Sequence, residues 1–165
     1  NQYPEKFIPL ATTNALDNRP IPLYGDGMQI RDWLFVEDHC RAIQTVLMKG
    51  KEGEIYNIGG DQERPNREIA EMILALLDKP NELVRHVADR PGHDTRYSLD
   101  CSKLKKLGWH PTIPVEEGIR RTVEWYRDNR WWWEKIKSGE FKQYYQEHYG
   151  HRLDESTTPD KEDEQ

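Results

Sequence analysis

The sequence predicts a mixed fold of the α/β or α+β class, with too few strands for a complete doubly wound sheet. Two observations predict it. Short apolar runs of strand character, such as Ile21–Tyr24 and Leu83–Ala88, alternate with longer amphipathic runs. The longer runs space their apolar residues three and four apart: Val36, Cys40, Ile43 and Val46–Leu47 in one, Val115, Ile119, Val123 and Tyr126 in another. At 165 residues the chain is about one domain, so such a fold is either small or half of a larger one.

The elements follow in chain order. Pro4–Leu16 reads as a helix, with Pro4 near its first turn and Pro9 distorting its start. Ile21–Tyr24 and Gln29–Phe35 read as strands of a hairpin, because Gly25-Asp26-Gly27 supplies residues that tolerate positive φ. Val36–Met48 is a helix with one buried face, Gly50–Gly53 a turn, and Glu54–Gly60 a short strand. Glu63–Pro80 carries a helix capped by Asn66. Leu83–Ala88 and Tyr97–Leu99 are strand-like, Asp100–Trp109 is a short helix ended by Gly108, and Pro114–Ile136 is the longest helix. Trp131–Trp133 cannot all face one way on it, so at least one covers neighbouring surface.

Bulk properties exclude several classes. Mean hydropathy is -1.00, so the core is small, yet the periodic apolar blocks argue against general disorder. The net charge of -6 is concentrated in Asp154–Gln165, and the acidic stretch 151–165 is expected to be a disordered tail. The near-neutral remainder lacks the basic footprint of a nucleic-acid binder. No apolar run is long enough to span a membrane. Cys40 and Cys101 have no metal-type spacing and read as helix-face or core thiols, which suits a cytoplasmic location. The histidines are too dispersed for a metal site, and no Ser-centred nucleophile elbow occurs. The opening residues, without an initiator Met, suggest a piece of something longer.

The densest chemistry lies in Asp89–Asp100, "DRPGHDTRYSLD". Arg90 precedes Pro91, which restricts its backbone, and Arg31 follows a strand residue. An arginine in a cleft needs an anionic partner, either a protein carboxylate or a ligand phosphate. His93 either reaches a ligand hydroxyl or phosphate, or caps its loop. Tyr24 either stacks on a flat base or packs on the sheet face. Asp94, Arg96 and Tyr97 are expected to brace the loop. Gly59-Gly60 and Gly25-Asp26-Gly27 lack the spacing of a phosphate-binding fingerprint and read as turns. The helix start at Asn66 offers free N–H groups that would suit an anion.

Together, "NQYPEKFIPL", "PIPLYGDGMQIRDWLFVEDHCRAI", "GEIYNIGG", "ADRPGHDTRYSLDCSKLKKLGW" and "GIRRTVEWYRDNRWWWEKI" closely resemble the C-terminal half of the dTDP-glucose 4,6-dehydratase family. These are extended short-chain dehydrogenases/reductases of Rossmann type. The resemblance implies that residues 1–150 form the small α/β substrate-binding half, with about 29–60 completing the edge of the cofactor-domain sheet. It implies a dTDP-sugar nucleotide as ligand, with Lys6 and Phe7 on one wall and Pro22, Leu23 and Tyr24 on the thymine side. Arg31 and Arg90 would grip the diphosphate, Asn66 would contact substrate, and Asp89 and His93 would belong to the closing loop. Phe7 stands where the family commonly has Leu.

The family reaction passes a hydride from sugar C4 to NAD, takes a proton from C5, expels water from C6, and returns the hydride to C6. The NAD fingerprint and the Tyr-x-x-x-Lys pair of the family do not occur here. NAD would therefore be held by an N-terminal half, separate or upstream, and this chain alone is expected to be inactive. The complete family enzyme would be a homodimer. The alternatives are a non-catalytic sugar-nucleotide-binding module, or part of a related UDP-sugar epimerase or decarboxylase.

Overall fold

The computed structural model describes residues 2–150 and 152–153, the side chains of 140 and 141 apart. The acidic stretch 151–165 that the sequence reads as a tail lies, but for those two residues, outside them. The first helix, α1 (Phe7–Leu16), starts three residues later than Pro4. Pro9 is tolerated in its first turn, where a missing N–H forfeits no helical bond. Strand β1 (Ile21–Tyr24) follows as predicted. The predicted hairpin does not form: β1 pairs in parallel with β4 (Val84–Val87), in the register Ile21 to Val84 and Tyr24 to Val87. Strand β2 is only Ile30–Asp32 and pairs antiparallel with β3 (Glu63–Pro65). The turn glycines were correctly read, since Gly25 and Gly27 both have positive φ. They redirect the chain from one small sheet to another instead of folding it back on itself.

Helix α2 (Val36–Lys49) forms as predicted, but its apolar face is not buried. Only Asp38 and Ala42 are buried on it, and Leu47 is 81% exposed. Residues 54–60 form no regular element and have no strand partner among the described residues, and Ile55 is 83% exposed. The expected strand therefore fails for want of a neighbour to complete its hydrogen bonds. Helix α3 (Asn66–Leu76) has Pro65 at its N-cap position and no side-chain cap, so Asn66 is not the predicted capping residue.

After β4, the predicted strand at Tyr97–Leu99 reduces to one bridge between Ile30 and Arg96. Helix α4 (Ser102–Lys105) is led in by Asp100, whose carboxylate accepts from the Ser102 N–H at 2.8 Å. The longest predicted helix is two: α5 (Val115–Asp128) and α6 (Arg130–Ser138). The break has a side-chain cause. Asn129 Nδ2 donates to the Trp125 carbonyl at 2.9 Å, and the Trp133 indole donates to the Tyr126 carbonyl at 2.8 Å. Both take acceptors in the last turn of α5. Trp133 is buried there while Trp131 is exposed, as the three-tryptophan run required. Helix α7 (Glu140–Tyr145) and a π-helical turn, Gln146–Gly150, bring the chain back towards β1.

The main core is built where α1, α3 and α5 meet β1. Ala11, Ile21, Ile69, Ile73, Ile119 and Val123 are all buried there, and the stripe Val115, Ile119, Val123 and Tyr126 is buried as predicted. A smaller cluster joins α2 to α4 through Ala42, Leu104 and Trp109. Asp38, fully buried, locks that junction: it accepts from the backbone N–H groups of Thr112 at 3.0 Å and Ile113 at 2.9 Å, and pairs with Arg41. The third cluster, Leu10 with Tyr149, fastens the C-terminal segment to α1.

Candidate nucleotide-binding cleft

Beside β1 lies a cleft of about 470 Å³. Its first wall is the start of α1, with Lys6 and Phe7; its second is β1, with Pro22, Leu23 and Tyr24. Strand alternation sends Ile21 and Leu23 into the protein and leaves Pro22 and Tyr24 towards the cleft. Leu23 is accordingly 1% exposed, with its side chain beneath Gly27, where a Cβ would collide with it. Arg31 from β2 and Asn66 from α3 form the floor, and Arg90 and His93 reach in from the loop after β4. Nine of the ten residues singled out in the sequence thus meet in one cavity. The tenth, Asp89, stands behind His93.

The loop is held by a chain of hydrogen bonds. Asp89 accepts from His93 Nδ1 at 2.6 Å, from the Arg90 N–H at 2.8 Å and from Gln29 Nε2 at 3.1 Å. Partial desolvation pushes its carboxyl up, but the bonds from His93, the Arg90 backbone and Gln29 together hold it below its ordinary value. On its other side His93 Nε2 lies 3.1 Å from an Arg31 guanidinium nitrogen. Arginine can only donate, so Nε2 accepts and Nδ1 carries the hydrogen given to Asp89. Arg31 also donates to the carbonyls of Ile30 at 2.7 Å and Asp94 at 3.0 Å, and lies over the Tyr97 ring at 4.3 Å. Arg96 grips Glu63 at 2.7 and 2.9 Å, and Tyr97 donates to Asp94. These are the bracing roles expected of Asp94, Arg96 and Tyr97.

Charge distinguishes the cleft. Arg41, Arg64, Arg67, Arg96, Arg120, Arg121, Arg127 and Arg130 all pair with carboxylates. Among the described residues Arg19, Arg31, Arg85, Arg90 and Arg152 have no such partner, and of these Arg31 and Arg90 line the cleft, where Glu5 is the one acid against them and Lys6. Of the two partners the sequence left open, no protein carboxylate pairs with either arginine among the described residues. The helix end at Asn66 does not serve as expected. Its first two N–H groups donate to the carbonyls of Gln29 and Gly27, at 3.1 and 3.0 Å, and are not available to an anion. Asn66 contributes its side chain to the lining instead.

Sequence reasoning missed the fourth wall: Tyr144, His148 and Tyr149 of the C-terminal segment also line the cleft. His148 Nε2 lies 2.9 Å from the Tyr24 hydroxyl, and Arg152 donates to that hydroxyl at 3.1 Å. The available signal was the density of aromatic residues in "QYYQEHYGHR", too many for a solvated end.

A fold of this kind, small sheets and flanking helices around a cationic cleft, is shared with the extended Rossmann-type dehydratases and epimerases. A solved dTDP-glucose 4,6-dehydratase of Streptomyces venezuelae, with NAD and dTDP bound, matches at 52% identity with a TM-score of 0.79, over 82% of this chain and 42% of that one. A UDP-glucose 4-epimerase of Thermotoga maritima, solved with UDP-glucose, matches at 28% identity and a TM-score of 0.69, over 74% of this chain and 40% of that one. The sequence model of the GDP-mannose 4,6 dehydratase family matches residues 1–122, and the chain belongs to that family. Curated relatives include the dTDP-glucose 4,6-dehydratases of Streptomyces niveus, 56% identical, and Neisseria meningitidis, 50% identical. The match covers 83% and 85% of this chain but only 41% and 43% of those proteins, and it lies in their C-terminal part.

Proposed function

We propose that this chain is the sugar-nucleotide-binding portion of a dTDP-glucose 4,6-dehydratase, an NAD-dependent lyase. The observation that carries the reading is the pair Arg31 and Arg90, which face one cleft without a carboxylate partner among the described residues. A diphosphate supplies what they lack, through charge-assisted and partly bidentate bonds. Tyr24, set between Pro22 and His93, presents an aromatic surface for the base. The role of the chain in the reaction is positioning: it holds the nucleotide so that the sugar projects from the cleft.

The residues present do not fit NAD. The sequence has no dinucleotide fingerprint, and Gly59 and Gly60 are consumed by internal packing, where a Cβ would collide with Asp32 and the Trp33 carbonyl. The Gly60 N–H is likewise spent on the Asp32 carboxylate at 2.8 Å. Hydride chemistry in this proposal belongs to a cofactor-binding part outside this chain, and the isolated chain turns over no substrate. The exposed apolar face of α2 and the unpaired stretch 54–60 fit the surface such a part would cover.

Calorimetric titration of the 165-residue chain with dTDP, dUDP and UDP tests the reading. It expects saturable dTDP binding and weaker UDP binding. Absence of dTDP binding, or a preference for UDP, overturns it; the second outcome favours an epimerase-type substrate. Turnover of dTDP-glucose by the purified chain with added NAD contradicts the inactive assignment.

A further inference from the structure

The C-terminal wall does more than close the cleft. Tyr24 stands with its ring edge-on to His93 at 5.5 Å and tilted against Tyr149 at 6.3 Å. Its far end, the hydroxyl, meets three groups from a segment more than a hundred residues away: His148 at 2.9 Å, Arg152 at 3.1 Å and the Tyr149 hydroxyl, whose bond to Tyr24 raises the Tyr149 pKa and so makes Tyr149 the donor. Arg152 can only donate, so it occupies an oxygen lone pair of Tyr24. The Tyr24 hydrogen then needs an acceptor, and His148 Nε2 is the atom placed to take it.

We propose that His148 is a positioning residue for the nucleotide base: by accepting the Tyr24 hydroxyl hydrogen it fixes the ring against which a flat base is set. The inference rests on the function proposed above and assigns the placing of its base platform to the C-terminal segment. The tether requires a particular form of the imidazole. With Nε2 accepting, Nδ1 must carry the hydrogen, which is the less common neutral tautomer. A protonated His148 would direct an N–H at an oxygen already receiving Arg152, and Tyr24 would lose its acceptor.

The groups around the ring oppose that protonation. Tyr144 stacks on it at 5.2 Å and Tyr149 meets it edge-on at 4.9 Å. Burial, Arg152 and Arg90 lower its pKa, with Glu5 acting the other way. Base positioning therefore persists at neutral pH and fails only below the usual imidazole range. A bound diphosphate offsets Arg90, so binding itself draws that failure upward in pH.

Two measurements on the full chain test this. In the ligand-free protein, nitrogen-detected spectra of labelled histidine should show His148 with its hydrogen on Nδ1, and Tyr24→Phe should return it to Nε2. A His148 tautomer indifferent to Tyr24→Phe overturns the tether. In binding, His148→Leu should weaken dTDP by about three- to tenfold, the equivalent of one net hydrogen bond, while leaving inorganic pyrophosphate unaffected. His148→Gln, which keeps an acceptor, should restore most of the loss and flatten the acid limb of the pH profile. Equal dTDP affinity in wild type and His148→Leu overturns the positioning role alone. A wild-type chain that shows the tautomer but binds no dTDP overturns the function proposed and the positioning role with it, leaving a purely structural contact.

Discussion

Arg31 and Arg90 line the same cleft but are held in opposite ways, and that difference predicts opposite costs of removing them. Arg31 donates three hydrogen bonds within the protein, to Ile30, Asp94 and His93. At about 0.5–1.5 kcal/mol net for each, Arg31→Ala should destabilise the fold by about 1.5–4.5 kcal/mol. It should also release His93 and so disorder the loop. Arg90 lines the cleft without an ion pair among the described residues, so Arg90→Ala should leave stability within about 0.5 kcal/mol of wild type. A charge-assisted bond to a phosphate is worth about 1.5–3 kcal/mol, or roughly 10- to 150-fold in affinity. Arg90 is exposed, which places its loss near the lower end. Urea unfolding followed by tryptophan fluorescence, paired with calorimetric titration of dTDP, separates the two. An Arg90→Ala chain destabilised as much as Arg31→Ala, or one that binds dTDP like wild type, refutes the reasoning.

Asp38→Ala should be the more damaging change away from the cleft. It strands two backbone N–H groups, a threonine hydroxyl and Arg41, and should cost about 3–5 kcal/mol in urea unfolding. Lys137 is buried against α1, donating to Thr13 and Asn14, and burial lowers its pKa to about 8. Because the folded pKa lies below the unfolded value, the unfolded chain binds the extra proton between about pH 8 and 10.5. Wild type should therefore gain stability relative to Lys137→Met as pH rises through that window, and parallel pH profiles would contradict it. The exposed α2 face should drive self-association of the chain, and Leu47→Lys should reduce it by light scattering; a wild type that stays monomeric at high concentration argues against the uncovered face.

Much of the cleft was legible because its residues announce their chemistry locally. Arg90-Pro91-Gly92-His93 combines a charge, a bend and an imidazole, and β1 shows its alternation in four residues. Periodicity likewise placed α3 and the stripe Val115, Ile119, Val123 and Tyr126. Partner choice was not legible. The glycines at 25 and 27 mark a reversal, but whether β1 then pairs with β2 or β4 depends on which strand brings the better neighbours, and that is decided by packing of α1, α3 and α5. The break at Asn129 rests on two side chains, Asn129 and Trp133, that take carbonyls of the last turn of α5, a contest that propensity does not register. Residues 54–60 have strand composition, yet composition cannot supply the missing ladder. His148 and Arg152 gave no signal beyond aromatic density, because their partner Tyr24 lies at the other end of the chain.

That separation has a kinetic consequence. The bonds that fasten the C-terminal segment to β1 and α1 join residues 124 apart (Tyr24 to His148), 128 apart (Tyr24 to Arg152) and 131 apart (Asn14 to Tyr145). Loop-closure entropy makes such contacts among the last to form. A chain whose helical core has formed but whose segment around His148 has not yet docked carries an open, cationic groove. Nucleotide capture thus reports the docking of a distant segment: the cleft is complete only once the turn that carries His148 has met β1.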